Sequence, residues 1–309
     1  MPNTSPPKTT TDAALAYYDE IMGCLPAGSY PPTFKPLMTL YLTDNTTAEE
    51  IKKAKESGKI FACKYYPAGA TTNSEFGVSD VKKAYPAIKA MAEHGLLLLI
   101  HSEVSRPEID IFDREKIFID EVIKPLVADF PNLQIVMEHI STSNGVEYVK
   151  SAPDNVAASI TCHHLLYNRN KILVGGIKPH YYCLPVLKRE EHRAALLKAA
   201  TSGNKKFIMG TDSAPHETGR KESACGCAGL FTGHAAVELY AEAFDSVGKI
   251  DMLAQFITNG GDHYGLPRVE QTLTLEKTPW VVPETYEFGG GTVTPLRAGE
   301  HVLWKIVKE

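Results

Sequence analysis

Five polar side chains stand where apolar runs stop. Lys64 follows Ile60-Phe61-Ala62-Cys63, His101 follows Leu96 through Ile100, His139 ends Leu133-Gln134-Ile135-Val136-Met137-Glu138, His163 follows Val156 through Cys162, and Asp212 follows Phe207 through Thr211. Imidazoles, a carboxylate and an amine delivered from separate strand ends form a donor set for divalent metal ions. Each residue also has a plainer reading. A histidine at a strand end is often hydrogen-bonded structure, Asp212 could cap the next helix, and Lys64 could extend its stem to reach solvent. His101 and His139 gain weight from their matching contexts, with Glu103 and Glu138 beside them. His163 and His164 are read as structural, because tandem residues on one strand face opposite ways. Burial disfavours the charged form of Lys64 and leaves a nucleophilic amine, which can add carbon dioxide to give a carbamate suited to bridging two cations.

The elements that must position these groups alternate. Apolar runs at 37–42, 60–65, 96–101, 133–140, 156–162 and 207–211 read as strands. Between them, 46–58 opens with threonine and acids and closes with lysines and Gly58, the order that capping and the helix dipole favour. Val81, Tyr85, Ile88 and Met91 keep helical spacing with Pro86 in the first turn, and 112–130 carries another apolar stripe. Alternating strands and helices predict βαβ units and a parallel sheet. No Gly-rich phosphate loop follows a strand, which weakens a doubly wound sheet, and the polar groups at the C-terminal ends of five different runs make a (β/α)8 barrel the expected fold. Only six strands are legible, and one or two N-terminal strands of the barrel are expected to lie outside this chain. Residues 1–271 are expected to form the barrel, and 272–309 a β-rich tail packed on it.

Composition narrows the function. The 309 residues are 43% apolar and 22% charged, with a net charge of −5, which disfavours nucleic acid as a partner. An anionic substrate would need a site made positive by metals, Arg and His. No apolar run is long enough to span a membrane, and the N-terminus does not resemble a signal peptide. The six cysteines read as thiols of a cytoplasmic protein, with Cys225-Gly226-Cys227 a tight turn.

The segments MPNTSPPKTT (1–10), KYYPAGATTNS (64–74), HSEV (101–104), EHIST (138–142), HYYCLPVLKR (180–189) and GTDSAPHETGRKESACGCAG (210–229) resemble dihydroorotases of the single-function type, in the amidohydrolase superfamily. The resemblance spans nearly the whole chain. It implies reversible, zinc-dependent cyclisation of N-carbamoyl-L-aspartate to L-dihydroorotate in pyrimidine synthesis, with two zinc ions per subunit and a homodimer. It further implies that Lys64, carbamylated by CO2, bridges the metals and that His101 and His139 bind one zinc. Asp212 would bind the other and act as general acid and base. Thr71 and Thr72 would lie on a loop that closes over substrate, and Asn3, Leu184, His216 and Ala228 would hold it. Cations that depress the pKa of water supply the nucleophile in such chemistry.

The family's first strand carries Asp-x-His-x-His-x-Arg, and no His-x-His occurs here. The chain is therefore expected to hold the ligands of one metal site, Lys64, His101 and His139, with the other incomplete. Two alternatives are a non-catalytic dihydroorotase-like structural partner and another cyclic-amide hydrolase of hydantoinase or allantoinase type.

Overall fold

The computed structural model describes residues 4–26, 28, 34–71 and 74–307, and the chain resolves into two compact units, Met1–Met137 and Glu138–Glu309. The first unit opens with α1 (Thr11–Cys24), then β1 (Met38–Leu42), α2 (Ala48–Glu56), β2 (Ile60–Tyr65), α3 (Tyr85–His94) and β3 (Leu97–His101). Each boundary has a local cause. Thr47 caps α2 by accepting the Glu50 N–H, Glu49 and Glu50 occupy its first turn, and Lys53 and Lys55 its last. Pro86 sits in the first turn of α3, and Gly95 ends it with φ of 68°. The strands β1, β2 and β3 pair in parallel, with Tyr41 opposite Lys64 and Lys64 opposite Leu99.

The 112–130 stripe is helical without interruption from Arg114 to Asp129. It divides into α4 (Arg114–Phe118), a π-helical turn (Ile119–Ile123) and α5 (Lys124–Asp129). Pro125 lies just past the π-helical turn, where it has no N–H for the preceding turn and its ring crowds that turn's carbonyl.

The strand β4 (Ile135–Glu138) is followed by α6 (Ser143–Ser151), β5 (Val156–Ile160), α7 (Cys162–Leu166), α8 (Asn170–Leu173), α9 (Glu190–Ala200), β6 (Phe207–Met209), α10 (Thr218–Lys221), α11 (Ala236–Asp245) and α12 (Leu253–His263). Here three strand expectations are corrected, the run 133–140 forming a strand only over Ile135–Glu138. The run 156–162 stops at Ile160 because the Thr161 hydroxyl accepts the His164 N–H and starts α7. Cys162, His163 and His164 are thus helical, and strand alternation is no longer a reason to set both histidines aside. The run 207–211 likewise ends at Met209.

The strands β1 to β6 make a six-stranded sheet in chain order. A doubly wound sheet reverses its order at a switch point, and this one does not. The segment after Gly265 forms three nested antiparallel pairs, β7 (Thr274–Glu276) with β12 (Lys305–Val307), β8 (Trp280–Val281) with β11 (His301–Val302), and β9 (Tyr286–Phe288) with β10 (Gly291–Val293). Arg297 and the Leu303 N–H both bond the carboxylate of Glu242, fastening this segment to α11. No helix among the described residues is long and apolar enough to cross a membrane.

Candidate active site

In the unit Met1–Met137, Lys64 is the fifth residue of β2 and His101 the last of β3, so parallel pairing places them at the C-terminal ends of neighbouring strands. Lys64 is 5% exposed, and its Nζ lies 4.8 Å from the centre of the Tyr66 ring. That ring stacks on His101 at 5.5 Å. His101 Nε2 lies 3.0 Å from Glu103 Oε2, with both side chains buried. A carboxylate on one ring nitrogen fixes the tautomer and directs the other toward a metal. Thr71 lies on a turn where its N–H donates to Ser74 Oγ at 2.9 Å. Asn3 and Thr72 lie outside the described residues.

In the unit Glu138–Glu309, His139 directly follows β4, and Asp212 stands three residues beyond β6. His139 is buried and Asp212 exposed. Among the described residues, three other than glycine have positive φ: His139 at 43°, Asp212 at 44° and Arg297 at 66°. One serine organises the first two positions. Ser159 Oγ accepts the His139 N–H at 2.8 Å. A Cβ on Gly210 would lie 2.6 Å from Ser159 Cβ, so the approach to Asp212 needs glycine there. Tyr240 Oη then donates to the carbonyls of Ile160 and Gly210 at 2.7 and 3.0 Å, tying the ends of β5 and β6 to α11.

Leu184, His216 and Ala228 are half-buried in the same unit. His216 Nε2 lies 3.0 Å from the Ala228 carbonyl, and the Gly229 N–H donates to Tyr182 at 3.0 Å. The imidazole's pKa is lowered, first by burial and then by the nearby charge of Lys221, against the Ala228 hydrogen bond. Gly229 has φ of 145°, and a Cβ there would meet the Ala214 carbonyl at 2.5 Å.

Sequence reasoning missed a second cluster. His163, His164 and Cys183 each offer a ligand atom, all within 4.8 Å of one another. His164 already engages both nitrogens, with Thr161 Oγ1 at 2.7 Å and the Pro185 carbonyl at 3.1 Å, and the Cys183 thiol donates to Pro185 at 3.2 Å. A cation there would break those bonds. His163 differs: both its ring nitrogens are buried without a hydrogen-bond partner, and burial lowers its pKa to about 3. Thr161, a capping residue ahead of the tandem histidines, was the signal that could have revealed α7.

No family model matches the chain. Among curated proteins it is 62% identical over 307 residues to a dihydroorotase of Vibrio vulnificus, covering 99% of this chain and 89% of that protein. Among solved structures, dihydroorotase from Saccharomyces cerevisiae in complex with 5-fluoroorotic acid superposes with a TM-score of 0.89 at 31% identity, covering 99% of this chain and 88% of that one. Dihydroorotase from Campylobacter jejuni gives a TM-score of 0.85 at 35% identity, covering 100% and 87%.

Proposed function

The chain belongs to the dihydroorotase family of the amidohydrolase superfamily, and from that premise we propose that it catalyses reversible ring closure of N-carbamoyl-L-aspartate to L-dihydroorotate, with loss of water, in pyrimidine biosynthesis. The identity to dihydroorotases sets aside the hydantoinase and allantoinase alternatives. The structural-partner alternative has no observation of its own. The observation that carries the catalytic reading is the backbone. Two of the three non-glycine residues with positive φ among those described are His139 and Asp212. Such conformations cost about 1–3 kcal/mol each and persist where the site needs them.

The donor set fits zinc: two imidazoles, a carboxylate and a buried lysine whose carbamate adds a further anionic oxygen donor. Lys64, His101 and His139 would hold one zinc and Asp212 would ligate a second, for which the chain carries no His-x-His; bound zinc would polarise the amide carbonyl and lower the pKa of water. Glu103 orients the His101 ring. In the hydrolytic direction Asp212 would take a proton from the attacking water and deliver it to the departing ring nitrogen, and in ring closure it would take that proton back from the attacking nitrogen. Leu184, His216 and Ala228 would position the substrate, and the family resemblance adds Asn3, Thr71 and Thr72 to that set. The charges of Lys221 and Arg220 act on His216 and favour an anionic substrate at that end. The thiols, free of disulfides, support a cytoplasmic location, and the family resemblance supports a homodimer.

The test is turnover of L-dihydroorotate by the zinc-loaded chain in bicarbonate. Asp212→Asn keeps a residue that tolerates positive φ, so it should fold normally and lose about 10²–10⁴-fold in kcat. No turnover by the zinc-loaded parent, or full turnover by the variant, would overturn the reading.

A further inference from the structure

Lys221 is 4% exposed, at the end of α10, inside the segment that follows Asp212. Its ammonium meets no carboxylate in the described residues. Instead Nζ donates to three backbone carbonyls, Tyr182 at 3.1 Å, Cys227 at 3.0 Å and Gly229 at 2.5 Å. An ammonium has three protons, so this set saturates it. The acceptors are not scattered. Cys227 and Gly229 flank Ala228, and Tyr182 lies two residues before Leu184.

These carbonyls control the orientation of the peptides on both sides of Ala228. The Ala228 carbonyl in turn meets His216 Nε2 at 3.0 Å, and Tyr182 also accepts the Gly229 N–H. The turn is closed by the Cys227 N–H donating to Arg220 at 3.2 Å, and Gly226 packs so closely on the Lys221 carbonyl that no side chain fits there. We infer that Lys221 is a positioning residue that sets the geometry of the substrate-holding loops carrying Leu184, His216 and Ala228. This rests on the roles proposed for those three residues. Burial lowers the pKa of Lys221 to about 8, against raising contributions from Cys183 and Cys227.

The experiment compares the parent with Lys221→Met, which removes every donor, and Lys221→Gln, which keeps two. Michaelis parameters for L-dihydroorotate and amide hydrogen exchange over 182–184 and 225–229 are measured on the zinc-loaded proteins. Lys221→Met should raise KM at least tenfold with kcat within about threefold, and Lys221→Gln should fall between. Exchange in the two segments should accelerate at least tenfold, with β5 and β6 unchanged. Unchanged exchange in those segments overturns the inference whether or not the parent is active. Absence of parental turnover with accelerated exchange instead overturns the proposed reaction and leaves the clamp standing. A variant that loses thermal stability with KM unmoved assigns Lys221 to folding alone and also overturns the inference. If Lys221→Met does not fold, Lys221→Gln decides by the same readouts.

Discussion

Ser159 Oγ accepts the backbone N–H of His139 at 2.8 Å, across two neighbouring strand ends. The bond holds a candidate metal ligand in a conformation, φ 43°, that histidine seldom adopts. The same serine faces Gly210, whose missing side chain leaves the room it occupies. Replacing Ser159 with alanine leaves a buried N–H without its acceptor. That should cost about 1–3 kcal/mol of stability. Because the strained turn relaxes, zinc content and kcat/KM should fall as well. Thermal unfolding and elemental analysis check this, and an unchanged zinc content would refute the positioning role.

Glu103 holds His101 from two residues away, with both side chains buried. Glu103→Gln keeps the shape and removes the charge that makes the ring a better ligand. Loss of such partners typically weakens metal binding about 10–100-fold. Competition with a zinc-sensitive chelator dye measures this directly. An affinity equal to the parent's would mean that the pair serves packing instead.

Lys64 should carry one CO2 adduct in the folded, zinc-loaded protein prepared in bicarbonate. Native mass spectrometry should find the added mass, and acid denaturation should release it, since carbamates decompose in acid. Lys64→Met should bind zinc more weakly under every condition, whereas bicarbonate depletion should weaken only the parent. Equal zinc binding by Lys64→Met would exclude a ligand role for this side chain.

The strand ends were legible because buried parallel strands are continuous apolar runs, so a polar terminator stands out: Lys64 after Cys63, His101 after Ile100. The caps of α2 were legible for a similar reason, being written within a few residues of one another. What escaped was long-range. Ser159 reaches His139 across 20 residues, and Lys221 reaches Tyr182 across 39. No periodicity encodes such pairs. The positive φ of Asp212 was equally hidden, since aspartate adopts many conformations and only the tertiary packing around Gly210 selects one. The α7 boundary is the exception, because Thr161 carried a local signal that the apolar run 156–162 masked.

His163 links pH to stability with a definite sign. Its pKa lies near 3 in the folded protein, because burial excludes the charged ring, against 6.5 for an exposed histidine. Between those values the unfolded chain binds a proton that the folded chain refuses, so stability rises with pH across this window. Its contribution is complete above about pH 6.5 and is lost progressively as pH falls toward 3. Both ring nitrogens are buried without a hydrogen-bond partner, so the neutral ring too is worse placed than an apolar group of similar size. His163→Leu should therefore stabilise the fold by about 1 kcal/mol at pH 7 and flatten the decline between pH 6 and 4. Denaturant unfolding at four or five pH values measures both effects. A variant less stable than the parent at neutral pH would show that the His163 ring makes a contribution its hydrogen bonding does not reveal.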